Sequence, residues 1–172
     1  MKKIMAIAML LALMLPAMAL AAGPVLLVEL PQDAQMIENI AFDDGDFIQT
    51  YQLTGGANVQ LLRYQAFDMT LGDLIASEWA GCTNVKEATV SSVGGYQAGG
   101  LRFDYQQEGE EALDVTLILV DADGATLVFE AVFPKALGDM QIGAMVQKMI
   151  DSMDVLSGEA DVPAAGEEAD VG

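Results

Sequence analysis

The chain has 172 residues, of which 53% are hydrophobic, so it can bury one sizeable core but is short for two. It contains 7 Lys and Arg residues and 26 Asp and Glu residues. The resulting formal charge of −19 disfavours binding to nucleic acid or to an anionic membrane surface. The sequence contains no histidine, which excludes Ser-His and Cys-His nucleophile pairs and imidazole metal ligands.

Residues 1–22 have the composition of a secretory signal peptide. Residues 1–3 carry two lysines, residues 4–15 form an apolar run, and residues 19–22 supply small side chains for cleavage. The alternative is a retained membrane helix, which needs about 20 apolar residues, whereas this run breaks at Pro16. We therefore expect a secreted protein, extracellular or periplasmic. Cleavage leaves 5 basic residues, so the mature formal charge is 5 minus 26, or −21.

The first part of the mature chain predicts strands. Residues 25–30 are apolar and end at Pro31, which cannot donate to a ladder. Residues 32–42 leave a helical turn and a weak strand open as alternatives, before an acidic turn at residues 43–46. Residues 47–53 and 59–67 then predict a hairpin.

Residues 70–80 predict a helix with an apolar stripe at helical spacing. Thr70 is the expected N-cap and Gly81 the expected stop. Trp79 lies on this stripe and is predicted to anchor the helix in the core, with a solvent-facing aromatic platform as the alternative. Cys82 is the single cysteine, so no intramolecular disulfide can form; we expect it to be buried, with a free thiol or an intermolecular link as alternatives.

Residues 84–93 predict a further strand that leads into two glycine pairs, at residues 94–95 and 99–100. Paired glycines could cradle a phosphate, but here the chain enters a strand and no helix N-terminus follows. A turn followed by a bulged strand is the better interpretation.

Residues 94–133 predict three consecutive antiparallel strands around which the rest of the chain is built. Residues 101–105 alternate apolar and polar side chains. Residues 113–120 carry apolar side chains at both odd and even positions, so apolar residues lie on both faces and the middle strand should be the most buried. Asp123-Gly124 between two apolar runs predicts a tight hairpin. The third strand ends at Pro134.

The C-terminal part predicts one amphipathic helix, with its apolar stripe at residues 142–153, and a disordered acidic tail at residues 157–172. The chain as a whole is thus predicted to have an α+β fold, a mainly antiparallel β-sheet with helices packed on it. We expect a signal peptide at residues 1–22, a single domain at residues 23–156 and the tail beyond.

The order of these elements resembles the PsbP-like superfamily. The likeness covers residues 25–156 and is carried by Leu30-Pro31, the Gly95-Tyr96-Gln97-Ala98 turn, Tyr105, Gly124 and Ile150-Asp151-Ser152-Met153. The resemblance implies an α/β sandwich. Members include a photosystem II extrinsic subunit, a Ran-binding nuclear import factor and secreted bacterial proteins, mostly in binding or accessory roles. No functional residue is carried over, because no ligand or catalytic motif of the family is matched.

Two acidic clusters are the candidates for carboxylate chemistry: Asp43, Asp44 and Asp46, and Asp121 with Asp123. Both are predicted in turns, where water keeps carboxylates ionised. The second cluster starts like a calcium loop but lacks the third oxygen ligand and the distant Glu of an EF-hand. We therefore predict no catalytic, cofactor-binding or metal-binding residue and no cofactor.

Two functional hypotheses remain. The first is a secreted, non-enzymatic binding or accessory module, monomeric, whose unknown protein or small-molecule partner is cationic if electrostatics carry the binding. The second is a carboxylate-based secreted enzyme such as a glycan hydrolase. The missing histidine and the acidic surface favour the first.

Overall fold

The computed structural model describes residues 23–65 and 70–157. The predicted signal peptide and residues 158–172 of the predicted tail lie outside the described residues, and both stay predictions. A single 3-10 turn (Lys135–Leu137) precedes the second helix. The strands and helices of the described ranges are β1 (Val25–Leu27), β2 (Gln35–Ala41), β3 (Phe47–Gln52), β4 (Asn58–Gln65), α1 (Leu71–Glu78), β5 (Thr83–Glu87), β6 (Ser92–Val93), β7 (Tyr96–Tyr105), β8 (Leu113–Ala122), β9 (Ala125–Pro134), α2 (Asp139–Asp151) and β10 (Asp154–Leu156).

One large antiparallel sheet dominates the fold. Its strand order is β2-β3-β4-β9-β8-β7-β5, and β6 pairs with β7 as the eighth strand. The short strands β1 and β10 pair separately with each other. A mainly antiparallel sheet with two helices packed on it confirms the predicted α+β class.

The sheet has two faces that bury different amounts of apolar surface. On the first face, α2, β1 and β10 cover the larger core, which includes the fully buried Phe129 and Phe133. On the second face, α1 covers a smaller core in which Leu74 contacts the cluster of Phe103 and Val115. Because the central strands are covered on both sides, β8 and β9 are the most buried elements.

The central meander confirms the prediction for residues 94–133. β7, β8 and β9 pair in unbroken antiparallel register, and β8 is buried on both parities. The turn between β8 and β9 places Asp123 at φ 49° and Gly124 at φ 79°. Both residues of this turn therefore adopt the left-handed conformation that a tight Asp-Gly hairpin requires.

The structure decides one open alternative, corrects two predictions and adds one strand. Residues 35–41 form a strand with a bulge between Met36 and Glu38, which decides the alternative left open there. Residues 84–93 form two short strands instead of one, and residues 154–156 form a strand that the sequence did not indicate. Gly99 and Gly100 pair with β8 without a bulge; a Cβ at Gly100 would lie 2.9 Å from the Ala88 Cβ, so glycine allows the close approach.

Ion pairs fix the ends of the sheet near α2. The Arg102 Nε donates to Asp114 Oδ1 at 2.7 Å, and Arg102 Nη2 donates to Asp114 Oδ2 at 2.8 Å. Lys135 Nζ lies 2.8 Å from Asp104 Oδ1, and Lys148 pairs with Glu29 at 3.7 Å.

Across the ranges 23–65 and 70–157, we find no helix with the length and hydropathy to cross a bilayer.

Helix α2 should be required for stability, because Ile142 is fully buried in the first-face core. Ile142→Ala is expected to lower the free energy of unfolding by about 2 to 5 kcal/mol, through lost burial and a residual cavity. Met140 on the same helix is 90% exposed and gives the matched control. Met140→Ala should change stability by less than about 0.5 kcal/mol. Urea denaturation of both variants measures this, and equal losses would contradict the packing of α2.

Candidate functional site

Helix α1 covers only one half of the second face. Its start is fixed by a capping box, in which Thr70 Oγ1 accepts from the Asp73 amide at 3.2 Å and the Thr70 amide donates to Asp73 Oδ2 at 3.0 Å. From there the helix runs over β7 and β8. The other half, over β2, β3 and β4, is covered by no described helix, and its side chains are exposed or half-buried except for Thr50, which is buried. We call this half, with the adjoining part of β9, the open face.

Four polar side chains cross the open face in one line. Glu38, Thr50, Gln60 and Glu130 belong to β2, β3, β4 and β9, and each is in register with the next. Gln60 Nε2 donates to Thr50 Oγ1 at 3.3 Å, and Thr50 Oγ1 donates to Glu38 Oε2 at 3.1 Å. We call these four residues the polar row. The line exists only because the register of three strand pairs aligns it.

An apolar row runs beside the polar row, two residues further along each strand. It consists of Ile40, Ile48 and Leu62, which are in register across β2, β3 and β4. Ile40 is 38% exposed, and the other two are half-buried. The open face therefore offers an elongated polar strip along an apolar one, which suits a ligand with both kinds of surface.

Glu130 is the most perturbed acidic residue of the polar row. Its Oε2 accepts from the Trp79 Nε1–H at 3.3 Å, where α1 ends above β9. Burial raises the pKa of Glu130 to about 7, the Trp79 hydrogen bond opposes this change, and the charge of Glu78 adds to it. Glu130 therefore exchanges its proton near neutral pH, which is a property of binding and catalytic carboxyl groups.

Aromatic side chains pack around Trp79, the hydrogen-bond donor to Glu130. The Trp79 ring makes edge contacts with Tyr105 and Phe103, at centroid distances of 5.0 and 5.9 Å. Tyr64 on β4 lies close enough for the Glu130 charge to raise its pKa, although burial is the main cause of that increase. The Trp79 indole is thereby held in one orientation, with its N–H directed at the carboxylate.

No basic side chain lies on the open face in the described ranges, and residues 66–69 contain none in sequence. The five Lys and Arg residues beyond residue 22 are Arg63 and Arg102 on the first face, Lys86 on β5, Lys135 in the 3-10 turn and Lys148 on α2. The carboxylates of the polar row thus have no internal counter-ion.

The acidic turn at residues 43–46 has a structural role. Asp46 Oδ1 accepts from the Gln65 amide at 2.6 Å, and Asp44 Oδ1 accepts from the Asp46 amide at 3.1 Å. Below the turn lies the fully buried Arg63, which donates to the Gly45 and Pro24 carbonyls and stacks 5.2 Å from the Phe47 ring centroid. This turn therefore closes over a buried guanidinium, a role that the sequence did not indicate.

The second predicted acidic cluster lies at the turn between β8 and β9. Asp123 accepts a hydrogen bond from the Tyr96 hydroxyl, and Asp121 lies on the second face opposite Thr126. Within the described part of the chain, no three Asp, Glu or Cys side chains come together as a possible metal site.

Two further predictions are partly correct. Trp79 packs against the second-face cluster as predicted, but it is half-buried and its N–H reaches the polar row, so it is also part of the candidate site. Cys82 was expected to be buried; it is a half-buried free thiol at the margin of the same cluster. The turn after α1 leaves its side chain at the edge of the sheet.

Comparisons with known proteins assign no family to this chain. No protein-family model matches it, and no curated protein matches it. Among solved structures, the chain is similar to LpqN of Mycobacterium tuberculosis, described as involved in cell envelope biogenesis, with 14% identity, a TM-score of 0.44, and coverage of 77% of this chain and 83% of that one. It is also similar to PA94 of Pseudomonas aeruginosa, a protein of unknown function, with 18% identity, a TM-score of 0.44, and coverage of 73% and 94%.

The raised pKa of Glu130 predicts a pH dependence of stability with a defined sign. The pKa of Glu130 is about 7 in the folded protein, against an ordinary value of 4.5. Between these two pH values the folded protein therefore holds the Glu130 proton more often than the unfolded chain does. The free energy of unfolding should therefore fall as pH rises through this window. Glu130→Gln keeps an acceptor for Trp79 and removes the ionisation.

Glu130→Gln should thus match the wild type at about pH 4 and exceed its stability by about 2 to 3 kcal/mol at about pH 8. Urea titrations followed by the fluorescence of Trp79, the single tryptophan, measure the difference between the two proteins. A constant difference across this pH range would contradict the assigned environment of Glu130.

Proposed function

We propose that this protein is a secreted, non-enzymatic binding or accessory protein that holds a positively charged ligand on its open face. The observation that carries the proposal is the polar row, whose carboxylates lie beside the exposed Ile40 and the half-buried Ile48 and Leu62, with no basic residue on the described part of the open face. Secretion rests on the signal-peptide pattern of residues 1–22. We also propose membership of the PsbP-like superfamily, which the predicted order of elements supports.

The energetics of Glu130 favour a cationic ligand. A buried carboxylate is costly unless it is paired, and here the nearest charge, on Glu78, is also negative. A cation bound at Glu130 would supply the missing counter-charge and receive a charge-assisted hydrogen bond. An anionic ligand would meet Glu38, Glu78 and Glu130 and would be repelled.

A carboxylate-based hydrolase is the second candidate, and Glu130 is the observation that favours it. A carboxyl with a pKa of about 7 can act as a general acid at neutral pH. Its partner would be Glu78, which is electrostatically coupled to it. Glu38 lies on a strand three spacings away, about 14 Å between backbones, and its carboxylate accepts from Thr50.

A cationic probe should bind the open face. An oligolysine peptide added to ¹⁵N-labelled mature protein is expected to shift the backbone amides of the polar row and to leave the 43–46 turn unaffected. Binding should weaken as salt is raised, because the screening length falls below about 8 Å past physiological ionic strength. Gln60→Lys places an internal counter-ion beside Glu130 and should abolish the shifts. Gln106→Lys in the loop after β7 is the matched control, with the same charge change.

Shifts spread evenly over all acidic segments would contradict the proposed surface. The enzyme alternative is tested with the same proteins against glycan, peptide and ester substrates. Turnover by the wild type that is lost in both Glu130→Gln and Glu78→Gln would replace the binding proposal. We expect no turnover.

A further inference from the structure

The two ends of the polar row carry the charges, and its middle is neutral. Glu38 on β2 and Glu130 on β9 belong to strands whose backbones are three spacings, about 14 Å, apart. The Glu38 carboxylate is directed at Thr50 and the Glu130 carboxylate at Trp79. Thr50 and Gln60 lie between them and are hydrogen-bonded to each other. A small cation can therefore meet only one of these two carboxylates at a time.

We propose that the polar row binds a linear aliphatic polyamine, an extended polycation with one terminal ammonium at Glu130 and the other at Glu38. This inference rests on the proposed function, because it requires that the open face binds cations. It adds the shape of the ligand, the spacing of its charges and the residues that hold it.

The polar row presents hydrogen-bond acceptors and almost no free donors. Within the described residues, Glu130 Oε1 and Gln60 Oε1 accept no hydrogen bond, since Trp79 donates to Glu130 Oε2 and Gln60 uses its Nε2 for Thr50. Thr50 directs its hydroxyl hydrogen to Glu38. Ammonium groups are donors only, with no acceptor. A chain of ammonium groups thus complements this run of acceptors, with Gln60 Oε1 placed for an internal one.

The surroundings suit the rest of such a ligand. The apolar row of Ile40, Ile48 and Leu62 runs parallel to the polar row and can cover methylene segments. At the Glu130 end, the half-buried Trp79 donates to the carboxyl and Tyr64 on β4 lies near it, so aromatic side chains border this end of the polar row. A bare metal ion is disfavoured, because Glu38 and Glu130 stand too far apart to share it.

Binding should also release protons at neutral pH. A cation at Glu130 stabilises its ionised form, so the fraction that is protonated in the free protein loses its proton on binding. The other titratable groups that face Glu130 are Glu78 from α1 and Tyr64 from β4; its register partners on β4 and β8, Gln60 and Leu117, do not titrate.

Isothermal titration calorimetry with four defined probes tests the proposal. These are trimethylenediamine, in which the charges are too close; decamethylenediamine, in which they match the row; spermine, which adds internal ammonium groups; and n-decylamine, which has one charge. Decamethylenediamine and spermine should bind at least about tenfold more tightly than the other two, since each engages a second carboxylate. Titrations in two buffers of different ionisation enthalpy should show proton release.

Three variants locate the site. Glu38→Gln and Glu130→Gln should each weaken spermine binding about tenfold, and only Glu130→Gln should abolish proton release. Glu38 is exposed on the edge strand β2, so its variant tests binding without disturbing the core. Glu110→Gln, in the exposed loop between β7 and β8, is the matched control and should bind as the wild type does.

Equal affinities for the short and long diamines would overturn the proposal. A loss of spermine affinity in Glu110→Gln as large as that in Glu38→Gln would also overturn it, because it would indicate diffuse charge attraction. Oligolysine binding to the open face without selectivity among the amines would refute the polyamine assignment and leave the proposed function standing. Failure of both probe classes would refute both.

Discussion

The fold depends on one constraint: two short helices must cover both faces of the central strands of a single wide sheet. Seven strands side by side span about 29 Å. Helix α2, of 13 residues, is about 20 Å long, and β1 and β10 extend its cover of the first face. Helix α1 has 8 residues, about 12 Å, and covers the second face without help from another described element. Among residues 23–65 and 70–157, no helix therefore covers the part of the second face at β2, β3 and β4.

The polar row begins where the cover of α1 ends. Trp79 caps the C-terminal end of α1, and its N–H donates to Glu130 on the neighbouring strand β9. A glutamine at residue 130 would satisfy the Trp79 N–H equally well without placing an ionisable group in a desolvated position. A glutamate there lowers stability at neutral pH, and the buried strands β8 and β9 can tolerate that loss. Such a local cost in a well-packed sheet is characteristic of a functional position.

The sequence predicted the elements in which local chemistry and periodicity agree. The β7–β9 meander has alternating or continuous apolar side chains and an Asp-Gly turn, and α1 has its capping box at Thr70 and Asp73. β2 was left undecided because its apolar residues fit both periods, and β10 is too short to carry a pattern. Tertiary pairing decides such segments, and pairing is not visible in a local window.

The candidate site could not be predicted, for the same reason. Each member of the polar row is an isolated polar residue within its own strand, and only the cross-strand register brings the four together. One indication was present: Glu130 is the sole charged residue in β9, a strand in which only Thr126 is otherwise polar. The acidic turns were more conspicuous in sequence, yet they hold backbone amides and cover Arg63. Local density of acid groups and their availability to a ligand proved to be separate properties.

Screening makes the spacing of the polar row decisive. At physiological ionic strength, charges in water act over about 8 Å, which is shorter than the roughly 14 Å between the backbones of Glu38 and Glu130. The two carboxylates therefore attract independently, and a cation near one gains little from the other. Glu130 is partly desolvated, so its field is screened less than that of the exposed Glu38. A ligand gains from both carboxylates only if it places one positive charge at each of them. The polar row can therefore select among cationic ligands by their length.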